Sequence, residues 1–154
     1  MSSVTTITGL VYRYAEFIDT GDFAGAAGLF RHARLKMLDG DYLDHEGIQA
    51  FWERVIIRYE DGTPKTKHLI LNPIVDIGRS GDKATCRSQY VVIQQVPGQP
   101  IGIVAAGRYH DWFERVDDEW RFCERDYSLL DMMGDLSAHV RVDLGGAPPA
   151  PPAG

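Results

Sequence analysis

The stretch Y-A-E-F-I-D-T-G-D-F, Tyr14 to Phe23, sets two acids on either side of a glycine at what reads as the end of a first helix. Asp22 has a local purpose, since it can cap a following helix. Asp19 has none, because a helix C-terminus favours cations over carboxylates. It is either a turn residue or a carboxylate placed for chemistry. Farther along, His68 opens a long strand with the parity of Ile70 and Ile74, so its ring should point where apolar side chains point. A buried imidazole needs a partner, and a carboxylate on an adjoining helix would supply one. Such a pair would serve as a general base: the acid holds one ring nitrogen and stabilises the imidazolium while the other nitrogen takes a proton. Metal chemistry is not expected, because no two of the five histidines have ligand spacing.

The rest of the composition narrows the field. A chain of 154 residues supports one domain with a core. A net charge of −6 with scattered basic residues argues against a nucleic-acid partner. No run approaches the roughly 18 apolar residues of a membrane span, and the first residues lack a signal-peptide pattern, so a cytoplasmic setting is expected. Cys86 and Cys123 have no metal spacing and read as free, small core residues.

These side chains need elements to position them. Val4, Ile7, Val11, Tyr14 and Ile18 recur at three and four, a helical stripe. Gly21 ends that helix and Asp22 starts a short second one through Phe30. Arg34 to Leu38 reads as a short strand. The segment from His45 to Tyr59 carries Ile48, Phe51, Trp52, Val55 and Ile56 on one side of a third helix. From Lys65 the period changes to two, giving strands 65–77, 83–96, 101–116 and 119–126 joined by short turns, hence antiparallel. The fold class is α+β, with helices on one face of the sheet. One domain is expected over 1–140. The Pro/Gly/Ala-rich tail 141–154 is expected to be disordered, and G-D-L-S-A-H-V reads as a short C-terminal helix carrying His139.

A sheet curling round a helix leaves a concave face, and alternation proposes its lining. One set is His68, Ile70, Asn72 and Ile74. A second is Ala84, Cys86, Ser88, Tyr90, Val92 and Gln94. A third is Ile101, Ile103, Ala105, Gly107, Tyr109, Asp111 and Phe113. Asp111 is either a pocket acid or the partner of a cross-strand base. Tyr14 falls in the core stripe, though its hydroxyl could still reach a pocket.

The order of elements, with T-K-H-L-I-L-N-P, G-D-K-A-T-C-R-S-Q-Y and G-R-Y-H-D-W-F-E-R-V-D-D-E-W-R-F, resembles the SnoaL-like branch of the nuclear transport factor 2-like superfamily over residues 4 to 140. The resemblance implies a cone-shaped α+β barrel: three helices against a strongly curved, mostly antiparallel sheet, with a pocket at the wide end. In its dehydratase and dehydrochlorinase members an Asp ends the first helix and a His opens the first long strand, as a base-and-orienter dyad. Asp19 and His68 match those positions. Tyr14 matches a substrate-polarising residue five positions before the Asp, a role that suits a neutral phenol. Arg125 matches a contributing arginine. Alternation nevertheless groups Arg125 with Arg121 and Cys123, opposite Trp120 and Phe122, so it reads as a surface residue unless a bulge turns it inward.

The pattern departs from its relatives too. Gln94, Gly107 and Tyr109 stand where scytalone dehydratase has a second His, a Ser and an Asn, and Met37 stands where ketosteroid isomerase has its base. The expectation is a cofactor-independent lyase or isomerase acting on an apolar oxygenated small molecule, polyketide- or steroid-like. His68, Asp19 and Tyr14 are its catalytic candidates. Arg125, Asp111, Tyr109, Tyr90 and Asn72 are its substrate-binding candidates. The alternative is a non-catalytic binding or assembly module like the small subunit of ring-hydroxylating dioxygenases. A homodimer through the sheet exterior, near Arg87, Gln89 and Val91, is expected from the resemblance.

Overall fold

The computed structural model describes residues 1–141; the Pro/Gly/Ala-rich tail lies beyond them, apart from Arg141. Helix α1 runs Ser3–Thr20. Ser2 caps it by accepting the Thr5 N–H, and Ile7, Val11, Tyr14, Ala15 and Ile18 form its buried stripe. It stops because Gly21 turns left-handed at φ 78°. The Gly21 N–H then reaches Ile18 O at 3.0 Å and the Asp22 N–H reaches Phe17 O at 2.9 Å, satisfying two orphan carbonyls. Gly21 is required for a second reason: a Cβ there would lie 2.0 Å from Gly62 O. Asp22 accepts the Gly25 N–H at 2.8 Å and caps α2, Phe23–Gly28.

Helix α3, His45–Val55, ends four residues before the apolar pattern does. Ile56 is extended and bridges Val140, so pairing with the C-terminal segment overrides helical periodicity in this β-branched run.

Seven strands make one sheet: β1 Arg34–Lys36, β2 Tyr42–Leu43, β3 Thr66–Ile77, β4 Lys83–Gln94, β5 Gly102–Val116, β6 Glu119–Asp126 and β7 Leu130–Met133. Their order is β2-β1-β6-β5-β4-β3, with β7 also on β5. Only the β1–β6 pairing is parallel. The sheet does not close, because its path begins at β2 and ends at β3. The three helices pack on it around Tyr14, Phe30, Trp52, Phe113 and Phe122, all fully buried.

Alternation holds throughout β4, where Ala84, Cys86, Ser88, Tyr90, Val92 and Gln94 are all buried. In the neighbouring strands bulges break it. In β3 the register shifts between Leu71 and Ile74, with Asn72 left-handed at φ 52°. Asn72 and Ile74 are therefore exposed, rather than sharing the inner face with His68 and Ile70. In β5 an extra residue opposite Val92 and Ile93 buries Val104 and leaves Ile101 and Ile103 outside. In β6 Trp112 pairs with Glu124 but Phe113 with Phe122, so the extra Cys123 turns Arg125 inward. Arg125 is fully buried, which corrects the surface placement that simple alternation implies.

Ser137–His139 is a turn rather than a helix. The segment from Leu136 to Arg141 straps the end of α3. The Ile57 N–H donates to His139 O and the Arg141 N–H to Val55 O, each at 2.9 Å. Ala138 O accepts from the Gln94 amide at 3.0 Å and from the Tyr59 hydroxyl.

Candidate functional site

Asp19 sits in the last turn of α1, where the helix dipole opposes its charge. Three donors compensate. One carboxylate oxygen accepts the backbone N–H of His68 at 2.7 Å. The other accepts the Thr66 hydroxyl at 2.8 Å and lies 2.6 Å from His68 Nδ1. Thr66 and His68 reach it together because residues two apart on β3 share a face. Burial pushes the Asp19 carboxyl up, but the side-chain hydrogen bond, charge and backbone N–H of His68, with Thr66, bring it below its ordinary value.

An ionised carboxylate only accepts, so the proton of the neutral imidazole sits on Nδ1 and the lone pair on Nε2. No residue described hydrogen-bonds Nε2. A cavity of about 240 Å³ adjoins the pair, lined by Tyr12, Ala15, Glu16, Asp19, His68 and Ile70. It opens between α1 and β3, rather than into the centre of the cone.

Tyr14 stands edge-on to the imidazole, with ring centroids 6.3 Å apart at 80°. It is fully buried and donates its hydroxyl to Tyr127 Oη at 3.1 Å. Burial, with the neighbouring phenols Tyr109 and Tyr127, pushes its pKa well above the usual phenol range, so it is a neutral group.

The remaining candidates lie in the packed interior. Arg125 donates to both Asp111 oxygens, at 2.7 and 2.9 Å, with both side chains inaccessible to solvent. Asp111 is thus the cross-strand partner of a base, directly opposite Arg125 in the β5–β6 register. The guanidinium carbon lies 4.2 Å from the Tyr14 ring centre and 4.0 Å from that of Tyr109. Desolvation works against the guanidinium charge, and the opposite charge and two hydrogen bonds of Asp111 outweigh it. Tyr90 stacks on Tyr109 at 4.4 Å. The structure therefore brings Asp19 and His68 together with Tyr14 alongside. It places Arg125, Asp111, Tyr109 and Tyr90 in the core and leaves Asn72 exposed, with none of the five lining the cavity.

Two residues escape the sequence reading, Thr66, which donates to Asp19, and Tyr127, which accepts from Tyr14, whereas His139, expected on a short helix, is held instead on a turn. Thr66 shares the parity of His68, so alternation could have found it. Tyr127 lies beyond the regular part of β6, and only the tertiary position of the strap buries His139. Among the described residues no cluster of three or more His, Cys, Asp or Glu is arranged to hold a metal, and no helix is long and apolar enough to cross a membrane.

A family model described as a SnoaL-like domain matches residues 1–126. Among solved structures, a candidate scytalone dehydratase from Novosphingobium aromaticivorans is 22% identical, with a TM-score of 0.67 over 86% of each chain. An ntf2-like protein with a cystatin-like fold from the same organism is 23% identical, with a TM-score of 0.66 over 88% of this chain and 85% of that one. The beta subunit of a candidate aromatic-ring-hydroxylating dioxygenase, also from that organism, is 18% identical, with a TM-score of 0.65 over 88% and 94%. At these identities the likeness is one of fold. No curated protein matches the sequence.

Proposed function

The chain belongs to the SnoaL-like domain family, and on that footing we propose that it is a cofactor-independent lyase or isomerase using the Asp19–His68 pair as its base. The observation that carries this is the two-point grip of Asp19 on His68, which leaves Nε2 as a lone-pair nitrogen beside a cavity. In an elimination, Nε2 takes a proton from a carbon next to a carbonyl. The C–H electron pair forms the new double bond, and the leaving hydroxide recovers the proton from the imidazolium as water. In an isomerisation the proton returns to another carbon. Both routes are redox-neutral.

Asp19 stabilises the imidazolium. Tyr14 packs edge-on to the ring, and can donate to a developing oxyanion only by giving up its bond to Tyr127. The cavity is smaller than the roughly 300–1,000 Å³ of sites that enclose a whole ligand. It suits the edge of an apolar oxygenated ring, polyketide- or steroid-like, better than an entire polycycle. His68→Ala and Asp19→Asn, assayed on a panel of hydroxy-ketones, test the reading. It is abandoned if both variants turn over as fast as the parent.

A non-catalytic assembly module is the second reading, favoured by the sheet exterior. Leu69 is 43% exposed, Ile103 64% and Met132 70%, an apolar surface suited to a second copy of the chain or a larger subunit. A homodimer through this face is the form we propose. Light scattering that gives a monomeric mass at micromolar concentration would rule it out.

A further inference from the structure

The cavity beside the dyad has a one-sided polar lining. Helix α1 contributes Tyr12, Ala15, Glu16 and Asp19, which share a flank because residues three and four apart on a helix are neighbours. Strand β3 faces them with His68 and Ile70, and no lysine or arginine lines the space. Among the described residues, four unpaired polar side-chain atoms are closed to solvent: Trp52 Nε1, Ser88 Oγ, Arg125 Nη1 and His139 Nδ1. His68 Nε2 is not one of them. A side chain only 6% exposed thus keeps one open, unpartnered nitrogen on the cavity.

Glu16 is the second acid of the lining. Its backbone carbonyl takes the Thr20 hydroxyl at 3.0 Å, but among the described residues its carboxylate enters no hydrogen bond or ion pair. Asp19, by contrast, is already occupied by Thr66 and His68. Apart from the Tyr12 hydroxyl, the unpaired polar atoms of the lining can therefore only accept: the Glu16 oxygens and the Nε2 lone pair. A complementary ligand must bring protons. With two carboxylates and no basic side chain around it, it must not bring negative charge.

We propose that Glu16 determines the specificity of this site and that the ligand is an oxygenated ring carrying a protonated amine, its ammonium on the Glu16 carboxylate and its ring against Ala15 and Ile70. An alkylamine keeps its proton at neutral pH, and the half-exposed Tyr12 offers it an aromatic face as well. The ammonium takes no proton from His68, so Nε2 keeps its lone pair for the C–H of the proposed reaction. The same two acids repel carboxylates and phosphates. The inference rests on the dyad cavity being a binding site and names the class of molecule it takes. It does not need the elimination step.

Benzylamine, benzyl alcohol and benzoate, rings of similar size that differ in charge, test it by NMR titration of the full chain. Benzylamine should bind about fivefold tighter than benzyl alcohol, as an ion pair at an exposed carboxylate provides, and benzoate should bind weakest. The Ala15 and Ile70 methyl resonances should move on benzylamine addition, a readout that needs no variant. Glu16→Gln, at an exposed position, should bring amine and alcohol level. Glu119→Gln, exposed at the start of β6, should leave the preference intact, which separates Glu16 from the net charge of −6. Unmoved methyl resonances, benzoate binding as tightly as benzylamine, an amine preference that survives Glu16→Gln, or one lost equally in Glu119→Gln would overturn the proposal. If His68→Ala and Asp19→Asn turn over hydroxy-ketones as fast as the parent while the amine preference still depends on residue 16, the dyad reading fails and this inference stands alone.

Discussion

Asp19 holds His68 by both its backbone and its ring, one carboxylate oxygen to each. Strand position and imidazole orientation are therefore set by one side chain, and the tautomer follows from the acid's charge. Asp19→Asn keeps an acceptor but can present an N–H to the ring. Turnover of a responsive hydroxy-ketone should then fall by about 10²- to 10⁴-fold, and His68→Ala should fall as far. Steady-state kinetics would show the loss in kcat more than in KM.

The interior pair makes a different demand. Arg125→Met leaves Asp111 as an uncompensated buried charge and should cost about 3–5 kcal/mol. The double variant Arg125→Met/Asp111→Leu should recover most of it. Arg125→Lys should cost less than the methionine variant but more than nothing, since one ammonium keeps the charge yet cannot serve both carboxylate oxygens while lying between the rings of Tyr14 and Tyr109. Urea midpoints decide the matter, and an unaltered midpoint for Arg125→Met would contradict it.

Gly21 joins the turn to the site, two residues after Asp19. Gly21→Ala meets a left-handed backbone and a Cβ 2.0 Å from Gly62 O. It should lose about 2 kcal/mol or more, and should lower turnover by displacing the carboxylate. Thermal unfolding together with the hydroxy-ketone assay would register both effects, and a variant as stable as the parent would count against the steric argument.

Acid should weaken the fold in two separate windows. His139 is lowered from 6.5 to about 4, first by burial and then by the His68 charge. Between those values the unfolded chain binds a proton that the folded chain does not, so stability falls as pH drops from 6.5 to about 4, by on the order of 3 kcal/mol. His139→Gln should flatten that window. Asp19, held below its ordinary 3.8, contributes stability above that value and loses it only at lower pH. Urea midpoints at pH 7, 5.5 and 4.5 isolate the histidine, and parallel curves for parent and variant would exclude it.

The helices and the pairing of Asp19 with His68 were legible because residue type and period agree there. Gly21 and Asp22 announce a stop and a cap, and what remains is a carboxylate with no local duty. Arg125 was not legible, since one extra residue at Cys123 inverts every later side chain and no periodicity marks it. Asn72 was misplaced in the same way, since alternation set it beside His68 and Ile70 and its left-handed backbone breaks that alternation. Strand β7 and the burial of His139 depend on partners in β5 and at the end of α3, which local patterning cannot supply.

The strap has a kinetic meaning. Ala138 is tied to Tyr59 across 79 residues and to Gln94 across 44, whereas Asp19 meets His68 across 49. Closing such loops is paid for in chain entropy before any contact rewards it. Loop length does not separate the two, but prerequisites do: the dyad needs only α1 docked on β3, while the strap needs both β4 and the end of α3 in place. In exchange experiments the Ile57 amide, which donates to His139 O, would be protected after the interior amides of β4 and released before them. The opening of this end of the fold is then set by the six residues 136–141 rather than by the stability of the whole sheet.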